Sequence, residues 1–187
     1  MPRERVDPRR IRVLPLADRH SKHTIAEIAV DPDAPPPPAG GMAPHVEAAA
    51  VAMRAARERG AAVVLAYGAH LVKNGLSLVV QRLLEQGWLT HLATNGAGTI
   101  HDWEYAFHGR SEEDVAAHVA RGCFGTWEET GRSIQLALLA GGLEGVGYGE
   151  SLGRFIEEDG CVLPDPAALA ASLAAWCAHP TDDPLMP

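Results

Sequence analysis

The stretch Leu89–Phe107, LTHLATNGAGTIHDWEYAF, decides the fold. Leu89–Ala93 is apolar and β-prone, and it stops at Thr94-Asn95-Gly96-Ala97-Gly98. A helix-like segment follows, with His101, Asp102 and Glu104 expected in its first two turns. Strand, glycine turn and helix start bring backbone N–H groups and a helix N-terminus up to a phosphate or carboxylate. Small residues in the turn let a ligand approach the backbone, and polar side chains just beyond it can reach the same ligand. The plain alternative is a turn that only reverses the chain.

Working outward, Ala61–Tyr67 is a second short apolar run, closed by Gly68, and reads as a buried strand like Leu89–Ala93. Between them, Gly75–Glu85 carries Leu76, Val79, Val80, Leu83 and Leu84 at helical spacing, and Gly87 ends it. Strand, helix, strand predicts a βαβ unit with parallel strands and a right-handed crossover. Upstream, residues 45–59 predict a helix stopped by Gly60, and residues 31–44, with four consecutive prolines, predict a stiff linker. Ile11–Leu16 predicts a short edge strand containing Pro15.

Downstream, Ser111-Glu-Glu-Asp114 predicts the cap of a helix running to about Arg121. Further helices are predicted from Thr126 to Leu139, over Ser151–Glu158 and over Pro166–Ala178, with a glycine-rich stretch from Gly141 to Gly149. Residues 1–10 and the final HPTDDPLMP are expected to be frayed or disordered. The expected organisation is an N-terminal segment and linker (1–44), an α/β nucleotide-binding-like domain (45–178) and a tail (179–187). The fold class is α/β, a Rossmann-like parallel sheet flanked by helices. Two strands are few for such a sheet, which leaves three alternatives. Either further strands lie elsewhere in this chain, or another chain completes the sheet, or the chain is the N-terminal part of a larger fold.

Composition narrows the function. At 187 residues the chain fits one domain with a tail, and 47% hydrophobic content supports a core. A net charge of −8, without a basic cluster beyond the N-terminal arginines, argues against a nucleic-acid partner and suits a cationic substrate. Cys123, Cys161 and Cys177 form neither a disulfide framework nor a zinc motif. Without a signal-like or membrane-length apolar segment, the expected location is the cytoplasm. The shortage of strands and the Ala- and Gly-rich C-terminal helices lead to the expectation of a homo-oligomer.

Two segments together resemble the deoxyhypusine synthase family. Tyr67-Gly-Ala-His-Leu-Val-Lys-Asn-Gly-Leu76 is similar to the family's aromatic-Thr-Ser-Asn-Leu-Ile-Ser-Ser-Gly-Leu motif, which opens the helix after a core strand and lines the NAD site. Leu92-Ala-Thr-Asn-Gly-Ala-Gly-Thr-Ile-His-Asp102 is similar to its Leu-Val-Thr-Thr-Ala-Gly-Gly-Val-Glu-Glu-Asp. The resemblance covers residues 60–108. It implies a Rossmann-like NAD-binding domain from a family that oxidises spermidine with NAD and passes the aminobutyl group through an enzyme lysine to a protein lysine. It also implies nucleotide- and substrate-facing roles for Asn74, Gly75, Thr94, Gly98 and Asp102. The family's paired glutamates are Ile100 and His101 here, and its Ser-Ser is Lys73-Asn74. The catalytic lysine of the family's C-terminal half has no counterpart, since the only lysines are Lys22 and Lys73.

Candidate site residues follow from both lines of reading. His101 is a candidate general base, because a histidine titrates near neutral pH. Asp102 is a candidate for a ribose hydroxyl or a substrate ammonium, or else a helix-start residue. Lys73 is a candidate nucleophile or anion-binding cation, or else a solvated side chain. Asn74, Gly75, Thr94, Asn95, Gly96 and Gly98 are candidates to hold NAD. His101, Glu104 and His108 share a helix face and, with His70 and His91, give a metal site as an alternative to ordinary surface histidines. Trp103 is read as packing or as a pocket wall, and Ser21-Lys22-His23 as a polar loop. The leading expectation is a deoxyhypusine synthase-like, NAD-dependent enzyme acting on a small amine. The alternatives are a non-catalytic nucleotide-binding module and, third, a metal-dependent hydrolase.

Overall fold

The computed structural model describes residues 7–163 and 165–178. The fold is mixed α/β, dominated by helices, with two separate two-stranded sheets among the described residues. The chain divides into two compact units, Met1–Trp127 and Glu128–Pro187. This boundary falls inside the stretch 45–178 that the sequence suggested as one domain.

In the first unit, β1 (Ser21–Thr24) leads into a single helical turn, α1 (Ile25–Ile28), whose start is capped reciprocally by Thr24 and Glu27. Helix α2 (Ala43–Glu58) carries Pro44 at its start, where a missing N–H costs nothing. Strand β2 (Val64–Ala66), helices α3 (Ala69–Lys73) and α4 (Ser77–Glu85), and strand β3 (His91–Ala93) follow. Helix α5 (Gly96–His108), strand β4 (Arg110–Glu113) and helix α6 (Val115–Ala120) complete the unit. The second unit holds α7 (Glu128–Glu144), α8 (Tyr148–Glu157) and α9 (Pro166–Ala178).

Strands β2 and β3 are adjacent and parallel, with Leu65 opposite Leu92, as the two apolar runs suggested. Threonines extend the pair at both ends. Thr90 Oγ accepts from Val63 N–H (2.8 Å) and donates to its carbonyl (3.2 Å), and Thr94 Oγ donates to the Tyr67 carbonyl (3.0 Å). The expectation of buried strands is corrected: each has three residues, only Leu65 and Leu92 are partly covered, and Val64 is 56% exposed. Helix α2 has no buried residue along its length, although the Arg57 guanidinium lies 4.4 Å from the Trp88 ring centroid.

The expected Gly75–Glu85 helix begins two residues later, behind the separate helix α3. Gly75 has a φ of +80°, which favours glycine, and a Cβ there would strike the Ile28 carbonyl. Val30 N–H also donates to the Gly75 carbonyl (3.0 Å), so the N-terminal segment crosses the chain at this point.

The N-terminal segment is integral to the unit rather than an appendage. Its β1 pairs antiparallel with β4, His23 opposite Ser111. Ile11–Leu16 is not a strand. Leu14 makes one parallel bridge to Trp127, its N–H donating to the Thr126 carbonyl (2.8 Å), and buried Leu16 opens a short 3-10 turn after Pro15. Ser111 is not the helix cap either. It is fully buried in β4, and Asp114 caps α6 by accepting from Ala117 N–H (2.9 Å). Pairing with β1 keeps residues 110–113 extended, so the helix starts only after them.

Helix α7 begins two residues after the expected Thr126 and runs through Gly141 and Gly142 instead of ending near Leu139. A Cβ at Gly141 would strike Ser151, so the missing side chain allows α7 and α8 to approach closely. Helix α9 has the expected bounds. Residues 1–6 and 179–187, expected to be frayed or disordered, lie outside the described residues. Among the described residues no helix is long and apolar enough to cross a membrane.

Candidate functional site

Helix α5 organises the site. It starts at Gly96, so the glycine-bearing stretch is its first turn and not a separate loop before it. Asn95 is the cap, its side chain accepting from Ala97 N–H (3.1 Å). Thr94, Asn95, Gly96 and Ala97 are exposed, and Gly98 is buried. A Cβ at Gly98 would meet the Thr94 hydroxyl and come within 3.4 Å of the Tyr67 ring. Glycine at 98, like glycine at 75, is therefore required by the protein's own packing. Asn74 is exposed at the C-terminal end of α3.

Because the helix starts early, Asp102 lies in its second turn and not at its N-terminus. It is exposed at the residue level, yet surrounding protein raises its carboxyl above the usual carboxylate range. Burial pushes the Tyr67 phenol up, a side-chain hydrogen bond with Thr94 opposes this, and the Asp102 charge adds to it.

His101 faces a different neighbourhood, a buried polar chain spread over three elements. Arg19 grips Glu104 with two parallel hydrogen bonds (2.6 and 2.8 Å), and both side chains are nearly fully buried. The Ser111 hydroxyl donates to Glu104 Oε2 in a short hydrogen bond. His101 Nδ1 lies 2.7 Å from Ser111 Oγ. Arg19 Nε also donates to Ser21 Oγ (3.1 Å). Burial lowers the His101 imidazole below its ordinary value. Glu104 and Glu112 oppose that shift, and Lys73 and Arg19 add to it.

The lysines converge on one carboxylate beside this chain. Glu112 is 3.4 Å from Lys73 Nζ, 3.5 Å from Lys22 Nζ and 3.8 Å from His23 Nε2. Burial pushes its carboxyl up, but Lys73, Lys22 and His23 outweigh that and hold it below the ordinary value. Glu112 has a φ of +67°, a conformation rare for a non-glycine residue and found preferentially at functional sites. Lys73, considered as a nucleophile, is here a charge partner: an ammonium held by a carboxylate has no free lone pair. Among the described residues the Tyr105 hydroxyl, on a residue 7% exposed, has no hydrogen-bond partner, and burial followed by the charge of Glu112 raises its phenol.

The structure thus pairs Lys73 with Glu112, sets His101 within range of both charges, and leaves Asp102 within range of Tyr67. The metal alternative loses its central carboxylate, because Glu104 is taken by Arg19 and Ser111. Among the described residues no group of three or more metal-type side chains assembles. Trp103 is core, 2% exposed and stacked on Phe107 at 4.7 Å. Sequence reading missed Arg19, Glu112 and the role of Ser111. Arg19 and Glu104 are 85 residues apart, a separation that leaves no local pattern. The second unit holds a cavity of about 120 Å³ lined by Ala137, Gly141, Ser151, Phe155 and Cys161 among others, and none of the candidate residues borders it.

Comparison of the chain with protein-family models, curated proteins and solved structures found no match.

Proposed function

We propose that this chain is a deoxyhypusine synthase-like protein, a Rossmann-like enzyme that uses NAD and acts on a small amine as a homo-oligomer. One observation carries the reading. The segments Tyr67–Leu76 and Leu92–Asp102, which carry the resemblance, run out from the carboxyl ends of two adjacent parallel strands in register. In open α/β sheets that edge is where ligands bind.

The residues fit a dinucleotide in kind at the exposed Thr94–Ala97 turn, which opens a helix of thirteen residues. Gly68 adds to this, since a Cβ there would meet nothing closer than the Asn95 amide at 3.9 Å. Gly75 and Gly98 shape the fold around the turn rather than touch the ligand. NAD, when bound, supplies the hydride acceptor for oxidation of the carbon beside an amine nitrogen. The chain's own groups do the rest. The net negative charge favours a cationic substrate, and His101 or Asp102 handles its proton or its positive charge.

Purification without added ligand, mass spectrometry of any bound small molecule, and calorimetry with NAD test the reading. Binding of NAD and a nicotinamide absorbance change on adding a polyamine support it. No binding of NAD by folded protein rejects it. Binding without turnover identifies a non-catalytic nucleotide-binding module.

A further inference from the structure

We propose that Arg19, Glu104 and Ser111 are positioning residues that fix His101 as its Nδ1–H tautomer and leave Nε2 as the proton-accepting atom of the site. The assignment follows from counting donors. Glu104 is held by both terminal nitrogens of Arg19 at 2.6 and 2.8 Å inside the protein, so it is ionised and can only accept. The Ser111 hydroxyl has one proton, and its bond to Glu104 Oε2 uses it. Ser111 Oγ must then accept from His101 Nδ1, 2.7 Å away. A neutral imidazole carries one N–H, so Nε2 holds the lone pair. Nε2 has no hydrogen-bond partner among the described residues, and His101 is only half-buried. The atom is open to a ligand.

The charged groups facing the ring come from every element around it: Glu104 on its own helix, Lys73 at the end of α3, Glu112 on β4 and Arg19 from the N-terminal segment. Their opposing effects leave burial as the largest influence, and burial favours the neutral base. The chemistry rests on the amine reading above. A substrate ammonium would lose its proton to Nε2: one N–H bond breaks, Nε2–H forms, and the nitrogen regains the lone pair that oxidation of its neighbouring carbon requires. The imidazolium so formed points its Nδ1–H at the Ser111–Glu104 chain, which stabilises the charge without itself taking the proton.

Nitrogen-15 NMR of the histidine side chains in the full chain, followed across pH, tests the assignment without NAD or any amine. Failure of the function reading and failure of this proposal are therefore separable. The expected spectrum shows His101 as a single Nδ1–H tautomer titrating below an ordinary histidine. In Ser111→Ala the lock is lost, the two tautomers mix and the titration moves lower still. An Nε2–H tautomer in the unmodified protein overturns the proposal, as does an unchanged tautomer in folded Ser111→Ala. Should Ser111→Ala fail to fold, the spectrum of the unmodified protein decides alone.

Discussion

At the scale of single residues, Glu104 carries the most consequence. Glu104→Gln keeps the size of the side chain and removes its charge. Buried Arg19 is then left without a counter-ion and Ser111 without its strong acceptor. Breaking one side of such a buried pair costs about 3–5 kcal/mol, which urea denaturation should register as a lowered midpoint. Replacing both partners with apolar residues should cost much less, because the penalty lies in the uncompensated charge. Asp102 makes a contrasting prediction. Among the described residues it has no hydrogen-bond partner, and burial makes its charged form costly, so Asp102→Asn should leave the melting temperature unchanged or slightly raised and should not lower it. If an ammonium or a ribose hydroxyl binds there, affinity should fall on the order of 10- to 100-fold through loss of a charge-assisted hydrogen bond. Calorimetry and a thermal melt on the same variant separate the outcomes: a lower melting temperature at unchanged affinity removes Asp102 from the site.

At the scale of elements, the parallel pair of β2 and β3 is the feature that asks for a partner. Two three-residue strands form a small sheet, and parallel sheets are ordinarily covered on both faces. Here Val64 and Ala66 on β2 and His91 and Ala93 on β3 are exposed. Val46 and Val51 of α2 are also more than half exposed. Unpaired edges of this kind invite association. The expected outcome is an oligomer by light scattering at micromolar concentration, with Val64→Lys shifting the population toward monomer at unchanged helix content. A monomer in the unmodified protein would count against the proposed assembly.

At the scale of the whole molecule, three groups of the site respond to acid. Burial lowers the folded-state value of His101, so the unfolded chain binds that proton more tightly. Its contribution to stability is complete above the ordinary histidine range and is lost as pH falls through the folded value. Glu112 has the same sign at lower pH. Burial acts against it, but the cations around it keep its folded value low, so its contribution disappears as pH falls through that value. Asp102 is raised by burial and acts oppositely: its contribution is present at low pH and lost as pH rises through its folded value. The melting temperature should therefore drop between about pH 7 and about pH 5. His101→Gln should flatten that slope. An unchanged slope in the variant would assign the acid sensitivity to other groups.

The sequence by itself determined the elements whose signals are local. The apolar runs around Leu65 and Leu92, with helical periodicity between them, marked two strands that pair in parallel. The helix near residues 45–59, the glycine stops and Pro166–Ala178 were legible for the same reason: periodicity, caps and breakers act within a few residues of one another. Tertiary structure alone decided the rest. It made Ser111 a buried strand residue instead of a cap, because β1 arrives from the N-terminal segment to pair with it. It explained glycine at 75 and 98 by the approach of Ile28, Thr94 and Tyr67 rather than by a ligand. It also assembled the chain from Arg19 through Glu104 and Ser111 to His101. A histidine's tautomer depends on which acceptor folding brings to one of its nitrogens, and no spacing along the sequence encodes that.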